Sequence, residues 1–134
     1  MSRSQTGKKI VVLDEDKKQC RSFCAMLEER DYQAVPIHSL SELNRRLKKL
    51  NCQVIIIDLD TVVVDNRIIR ELTKIIPSAY FFCLSERRFH PELKEAMHNH
   101  FFACLCKPID PDELFFFLRA IYENDEDPKN HSQT

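Results

Sequence analysis

Residues Val54 to Asp60 read VIIIDLD. Four consecutive β-branched apolar residues run straight into a carboxylate. A run this short, bounded by polar residues, predicts a strand buried on both faces, and such strands belong to parallel sheets covered by helices. In open α/β sheets, ligands bind at the carboxyl ends of the strands. Asp58 is therefore the first candidate for chemistry, and the question is what the rest of the chain supplies to it.

The flanking segments repeat one pattern. Lys9 to Leu13 predicts a first strand, ending in Asp14, Glu15 and Asp16. Asp16 can cap a helix running to about Arg30, with Cys20, Phe23, Cys24 and Leu27 on one face. Gln33 to Ile37 predicts a second strand. Ser39-Leu-Ser-Glu42 is a capping-box pattern opening a helix with Leu43, Leu47 and Leu50 inward. The basic cluster Arg45, Arg46, Lys48 and Lys49 then forms its solvated face. After the strand at 54–57, a helix spans about Asn66 to Ile76 and stops at Pro77. Tyr80 to Leu84 predicts strand four, closing on Ser85. Pro91 to about His98 predicts a helix, and Phe101 to Cys106 strand five, closing on Lys107-Pro108. Asp110-Pro-Asp-Glu113 starts a last helix running to about Asn124. Five strands alternating with five helices predict an α/β fold. It consists of a single parallel sheet with helices on both faces and right-handed crossovers. Residues 1–8 read as a flexible lead-in, 9–124 as one domain and 125–134 as a disordered polar tail.

Composition excludes several function classes. The 134 residues suit one domain. A net charge of -1 offers no basic field for nucleic acid or anionic lipid. No apolar run approaches a membrane span of ~20 residues, and no secretion signal is seen, so a cytoplasmic protein is the default expectation. The single glycine, Gly7, excludes a Gly-rich phosphate loop. The six cysteines lack the C-x₂-C spacing of zinc sites and read as reduced, mostly buried thiols. The scattered histidines read as surface residues. Phe115, Phe116 and Phe117 cannot all face inward from one helix, so at least one is expected at the surface or in a partner.

The strand ends then converge. Strand one delivers Asp14 and Glu15, strand three Asp58, strand four Ser85 and strand five Lys107. Three carboxylates together repel unless a hard cation joins them, and Mg2+ accepts one or two carboxylates while keeping waters for a phosphate. Asp58 is then a metal ligand and a potential nucleophile, able to form an aspartyl phosphate. Lys107 and the metal would neutralise the phosphoryl oxygens, and the Ser85 hydroxyl would donate one more hydrogen bond.

In this ordered set the chain resembles the response-regulator receiver domains of two-component signalling systems, from Lys8 to Asn124. Asp14 and Glu15 match the family's acidic pair and Asp58 its phosphoacceptor. Ser85 matches its hydroxyl residue and Lys107-Pro108 its Lys-Pro. The resemblance implies a flavodoxin-like receiver fold with strand order 2-1-3-4-5. It also implies a backbone carbonyl of Asp60 as a further Mg2+ ligand, alongside Asp14, Glu15 and Asp58. The implied donor is a phosphohistidine on a sensor histidine kinase or histidine phosphotransfer protein. The implied output is a protein-binding surface of helix four, strand five and helix five that takes a downstream partner or a second copy. Enzymatic activity would be limited to self-phosphorylation from a phosphodonor and autodephosphorylation. The chain departs from the family at Thr61-Val62, at Glu86 where a small residue is usual, and at Cys104 where an aromatic is usual. Asp60 and Arg87, flanking the site, are candidates for tuning hydrolysis.

Two other readings compete. A degenerate receiver could dock a partner without being phosphorylated. The string DLDTVV also resembles the first motif of haloacid-dehalogenase-like phosphatases. In that superfamily, however, the nucleophile ends the first strand and the metal acids come late, whereas here the acidic pair comes first.

Overall fold

The computed structural model describes residues 8–126, with side chains through Glu123. The elements alternate as expected: β1 (Lys9–Leu13), α1 (Lys17–Glu29), β2 (Gln33–Ile37), α2 (Leu40–Leu50), β3 (Val54–Asp58), α3 (Asn66–Ile75), β4 (Tyr80–Ser85), α4 (Lys94–Asn99), β5 (Phe101–Cys106) and α5 (Pro111–Glu126). The helix expected from Pro91 begins as a 3-10 turn, Pro91–Leu93, before α4. The last helix runs to Glu126 rather than Asn124. The lead-in as far as Gly7, and the tail from residue 127, lie outside the described residues.

All strand pairs are parallel, in the order β2-β1-β3-β4-β5. The period-two alternation of strand side chains sorts the core into two layers. Ile10, Val12, Val54, Ile56, Phe82, Leu84, Ala103 and Leu105 face α1 and α5. Val11, Leu13, Ile55, Ile57 and Phe81 face α2, α3 and α4. Every residue of β3 is buried, because it lies at the centre with helices above and below. At the sheet edge, β5 instead alternates: Ala103 and Leu105 point inward, and Phe102, Cys104 and Cys106 are exposed. Cys20, Cys24, Cys52 and Cys83 are buried, and all six thiols are free.

Local signals account for the helix starts. The Asp16 carboxylate accepts from the Gln19 amide at 3.0 Å, and Asp65 caps α3 through the Ile68 amide at 2.9 Å. In the capping box, Ser39 Oγ accepts from the Glu42 amide at 3.0 Å. Glu42 Oε1 reaches back one residue further than the simple pattern, to the His38 amide at 3.1 Å. With no glycine among the described residues, the two left-handed backbone positions fall to Asp31 (φ 72°) and Asn51 (φ 47°). These residue types tolerate that region best after glycine, and Asn51 closes α2 there.

Ser39→Ala is expected to cost about 1 kcal/mol in urea unfolding. The hydrogen bond from the His38 amide holds the Glu42 carboxyl below its ordinary value, against burial and with help from Arg46. A depressed carboxyl contributes stability above its unfolded pKa of ~4.3 and loses it as pH falls through the folded value. Acid unfolding curves of Glu42→Gln should therefore lack part of the loss that the native chain shows below about pH 4.3.

Candidate functional site

The strand order reverses between β1 and β3, so their carboxyl ends frame a crevice. Asp14 follows β1 and Asp58 ends β3. Both are buried, at 2% and 1% exposure, and a buried carboxylate must be matched by donors. Lys107, brought over from the end of β5, places its Nζ 2.7 Å from Asp58 Oδ2 and 2.8 Å from Asp60 Oδ2. The main-chain amides of Asp60 and Thr61 donate to Asp58 Oδ1 at 2.8 and 3.2 Å. Thr61 Oγ1 donates to Asp14 Oδ1 at 3.0 Å and accepts from the Glu15 amide at 3.1 Å. The turn after β3 is thereby tied to the turn after β1.

Gln19 joins this group from the first turn of α1. Its side-chain Nε2 donates to both Asp14 Oδ2 and Asp58 Oδ2, at 2.7 Å each. Its Oε1 accepts from Lys107 Nζ at 3.3 Å. Donation to two carboxylates and acceptance from an ammonium allow only one orientation of this amide. Gln19 carried no signal as a site residue in the sequence. Its place follows from α1 being set by the Asp16 cap, which turns position 19 toward the strand ends.

The anionic side of the site is equally well supplied. The Asp60 carboxylate accepts from the Glu86 amide at 3.1 and 3.3 Å and from Ser85 Oγ at 3.4 Å. Burial works against its ionisation, but the hydrogen bond and charge of Lys107, with the Glu86 and Ser85 donors, hold the carboxyl below its ordinary value. Burial likewise disfavours the Lys107 ammonium, and Asp58 and Asp60 together overcome this and raise its pKa. The structure thus brings Asp14, Asp58, Asp60, Ser85 and Lys107 together. Glu15 is exposed and meets the group through its main-chain amide.

Two buried carboxylate oxygens converge on a single nitrogen, that of Gln19. Magnesium needs only one or two protein carboxylates, with waters completing its shell. Among the described residues, no group of three or more His, Cys, Asp or Glu side chains is arranged to hold a metal. Asp14 and Asp58 fit such an ion as a pair, and Gln19 Nε2 now stands between them.

A cavity of about 330 Å³, lined by Gln19, Phe23, Met26, Asp58, Lys107 and Ile109, opens beside Asp58. The Lys107-Pro108 peptide on its border is cis. On the other side of the site, Arg87 turns away to Glu92 (2.9 Å) and His90 (3.1 Å). His90 is buried at 7% exposure, unlike the surface histidine expected. Its Nε2 faces the Arg87 carbonyl at 3.1 Å and therefore carries the proton, leaving Nδ1 to accept from the guanidinium.

No protein-family model and no curated protein sequence matches the chain. Solved structures do match. A two-component response regulator from Clostridium difficile shares 16% identity over 90% of this chain and 99% of that one, with a TM-score of 0.78. A response regulator receiver domain protein from Methanospirillum hungatei JF-1 shares 15% over 89% and 96%, with a TM-score of 0.77. The chain has the response-regulator receiver fold. The Francisella response regulator 1452 receiver domain is similar as well, at 23% identity over 88% and 98% and a TM-score of 0.74. In this receiver fold, the strand order and the two helical layers are those expected from the sequence. No helix among the described residues is long and apolar enough to cross a membrane.

Proposed function

We propose that this chain is a two-component phosphorelay receiver that takes a phosphoryl group from a phosphohistidine onto Asp58. One observation carries the reading: a nearly inaccessible carboxylate at the β1/β3 crevice, 2.7 Å from the Lys107 ammonium and sharing a donor with Asp14. A sensor histidine kinase or histidine phosphotransfer protein is the donor. An Oδ of Asp58 attacks phosphorus, the P–N bond breaks, and its electron pair returns to the donor imidazole. Lys107 balances negative charge on the phosphoryl oxygens, while Ser85 Oγ and the Glu86 amide donate to them. Asp14 and Asp58 would hold Mg2+, with Glu15 and the Asp60 carbonyl as further contributors. When bound, it neutralises phosphoryl charge. Attack of water on phosphorus later returns the carboxylate and releases orthophosphate. The readout is a shift of the α4, β5 and α5 surface toward a downstream protein or a second copy, in the cytoplasm. Phe116, 60% exposed on α5, is its candidate anchor.

The docking module that works without phosphorylation is the second reading. The observation favouring it is that Gln19 and Asp60 already satisfy the site's charges. Intact mass decides between the two. With magnesium and acetyl phosphate, the native chain is expected to gain one phosphoryl group (~80 Da), as aspartyl-phosphate formation requires. The gain should vanish in Asp58→Asn and without magnesium. No gain from acetyl phosphate or from a phosphorylated histidine phosphotransfer protein would leave the docking module.

A further inference from the structure

The Asp60 carboxylate makes its contacts outside its own loop. Its donors are Lys107 Nζ at 2.8 Å, the Glu86 amide at 3.1 Å and Ser85 Oγ at 3.4 Å. They come from the end of β5 and the end of β4, two strands that do not border the Asp60 turn in sequence. An aspartate that merely shaped its turn would accept from amides two or three residues onward, as Asp58 and Asp16 do here. Asp60 instead gathers a hydroxyl, an amide and an ammonium around two anionic oxygens. This is the donor set that suits a phosphoryl group. Its own main-chain amide is meanwhile fixed to Asp58 Oδ1, while Lys107 Nζ bridges Asp58 Oδ2 and Asp60 Oδ2, so the carboxylate sits beside the acceptor.

We infer that Asp60 is an internal anion filling the phosphoryl pocket of this receiver, and that an incoming tetrahedral anion must first displace it. The inference deepens the reading of Asp58 as phosphoacceptor and rests on it for its biological meaning. The occupied pocket is a separate physical statement. Electrostatics make the exclusion strong. One ammonium already faces the carboxylates of Asp58 and Asp60, and a phosphoryl group would bring further negative charge to the same few ångströms. Gln19 completes the arrangement. A neutral amide stands between Asp14 and Asp58 while a carboxylate stands among the anion donors, so the chain satisfies both halves of the site from its own residues. Phosphorylation of such a site exchanges anions. The Asp60 carboxylate has to leave Lys107, Ser85 and the Glu86 amide when the exchange occurs.

The test uses the full chain, 15N-labelled, with magnesium present and inorganic phosphate as the probe. In Asp60→Ala, phosphate is expected to shift the Glu86 amide resonance saturably, with an affinity about tenfold or more above the native chain. Asp60→Asn keeps the shape and two of the three contacts while losing the charge. It should fall between the two, and it guards against misfolding of the alanine variant. Adding Lys107→Ala to Asp60→Ala should abolish the gain. If neither Asp60 variant binds phosphate more tightly than the native chain, the inference is overturned. The acetyl phosphate arm separates the two claims. Phosphate binding gained by Asp60→Ala, with no phosphoryl gain on Asp58 in any variant from acetyl phosphate or from a phosphorylated histidine phosphotransfer protein, keeps the internal anion and removes the phosphoacceptor reading. Phosphoryl gain at equal rates in native and variant chains, with no phosphate binding gained, does the opposite.

Discussion

Replacing Lys107 with alanine is expected to slow phosphoryl gain on Asp58 by about two to three orders of magnitude, the usual effect of losing one preorganised charge from a transfer site. The prediction follows from what Lys107 touches. Its Nζ is shared between Asp58 and Asp60 at 2.7 and 2.8 Å, and only 16% of its side chain is exposed. Water therefore cannot replace it cheaply. Without the ammonium, Asp14, Asp58 and Asp60 stand together with no cation, and negative charge on an incoming phosphoryl group goes unbalanced.

The same variant should lose stability. Removing one member of a buried ion pair commonly costs 3–5 kcal/mol because the remaining charge is stranded. Asp58 keeps donors from Gln19 and from the Asp60 and Thr61 amides, so about 3 kcal/mol is expected in urea unfolding without magnesium, at the low end of that range. Magnesium should restore part of the loss, since a ligand that binds only the folded state stabilises it by mass action. Lys107→Arg should not rescue the rate, because a planar guanidinium cannot place a point charge against two carboxylates in the same space. A time course by intact mass and paired urea titrations check both halves. An unchanged transfer rate in Lys107→Ala would remove Lys107 from the site's chemistry.

The parts of this site that were legible in the sequence are those fixed by strand ends. Val54–Asp58 announces itself because a central strand buried on both faces tolerates only apolar residues until the sheet stops. The first polar residue after it must then lie at the sheet edge. The same logic placed Asp14, Ser85 and Lys107, and the alternation of β and α segments set the topology. The residues that were not legible depend on rotation and reach across the fold. Gln19 takes part because of how α1 is turned about its axis, and glutamine is an ordinary residue for a helix surface. The Asp60 side chain is aimed by donors from β4 and β5, so the sequence offered Asp60 as a carbonyl ligand and a candidate for tuning hydrolysis but not as a carboxylate held among those donors. His90 reads as one more loop histidine until the loop folds it beneath Arg87. The exposed side of β5 was not read from the sequence. Its buried residues alternate with Cys104 and Cys106 because an edge strand has less helix to cover it, while Phe102, beside a register shift, keeps ring contact with Phe117 of α5.

Phe82→Ala is expected to destabilise the fold by about 3–5 kcal/mol, the range for deleting a buried aromatic ring. Phe82 lies on β4 with no exposure, in the layer beneath α5. Its ring is stacked on Phe102 at 5.7 Å and meets Phe117 edge-on at 6.4 Å. Those two in turn contact each other at 6.0 Å, and Phe117 touches Phe116 at 5.5 Å. One continuous aromatic cluster therefore runs from the fully buried Phe82 on β4 to the exposed ring of Phe116. Removing its inner member leaves a cavity that Phe102 and Phe117 can relax into only by giving up their own edge-to-face contacts. Phe116→Ala should behave oppositely. Its ring is 60% exposed, so urea unfolding is expected to change by no more than about 0.5–1 kcal/mol. Any loss of partner binding or self-association in that variant then reports on the surface and not on the fold. Urea midpoints for the two variants, measured beside sedimentation of the native chain and Phe116→Ala, separate core from contact. A large stability loss in Phe116→Ala would show that the outer ring belongs to the core, and would withdraw it as the anchor of the β5–α5 face.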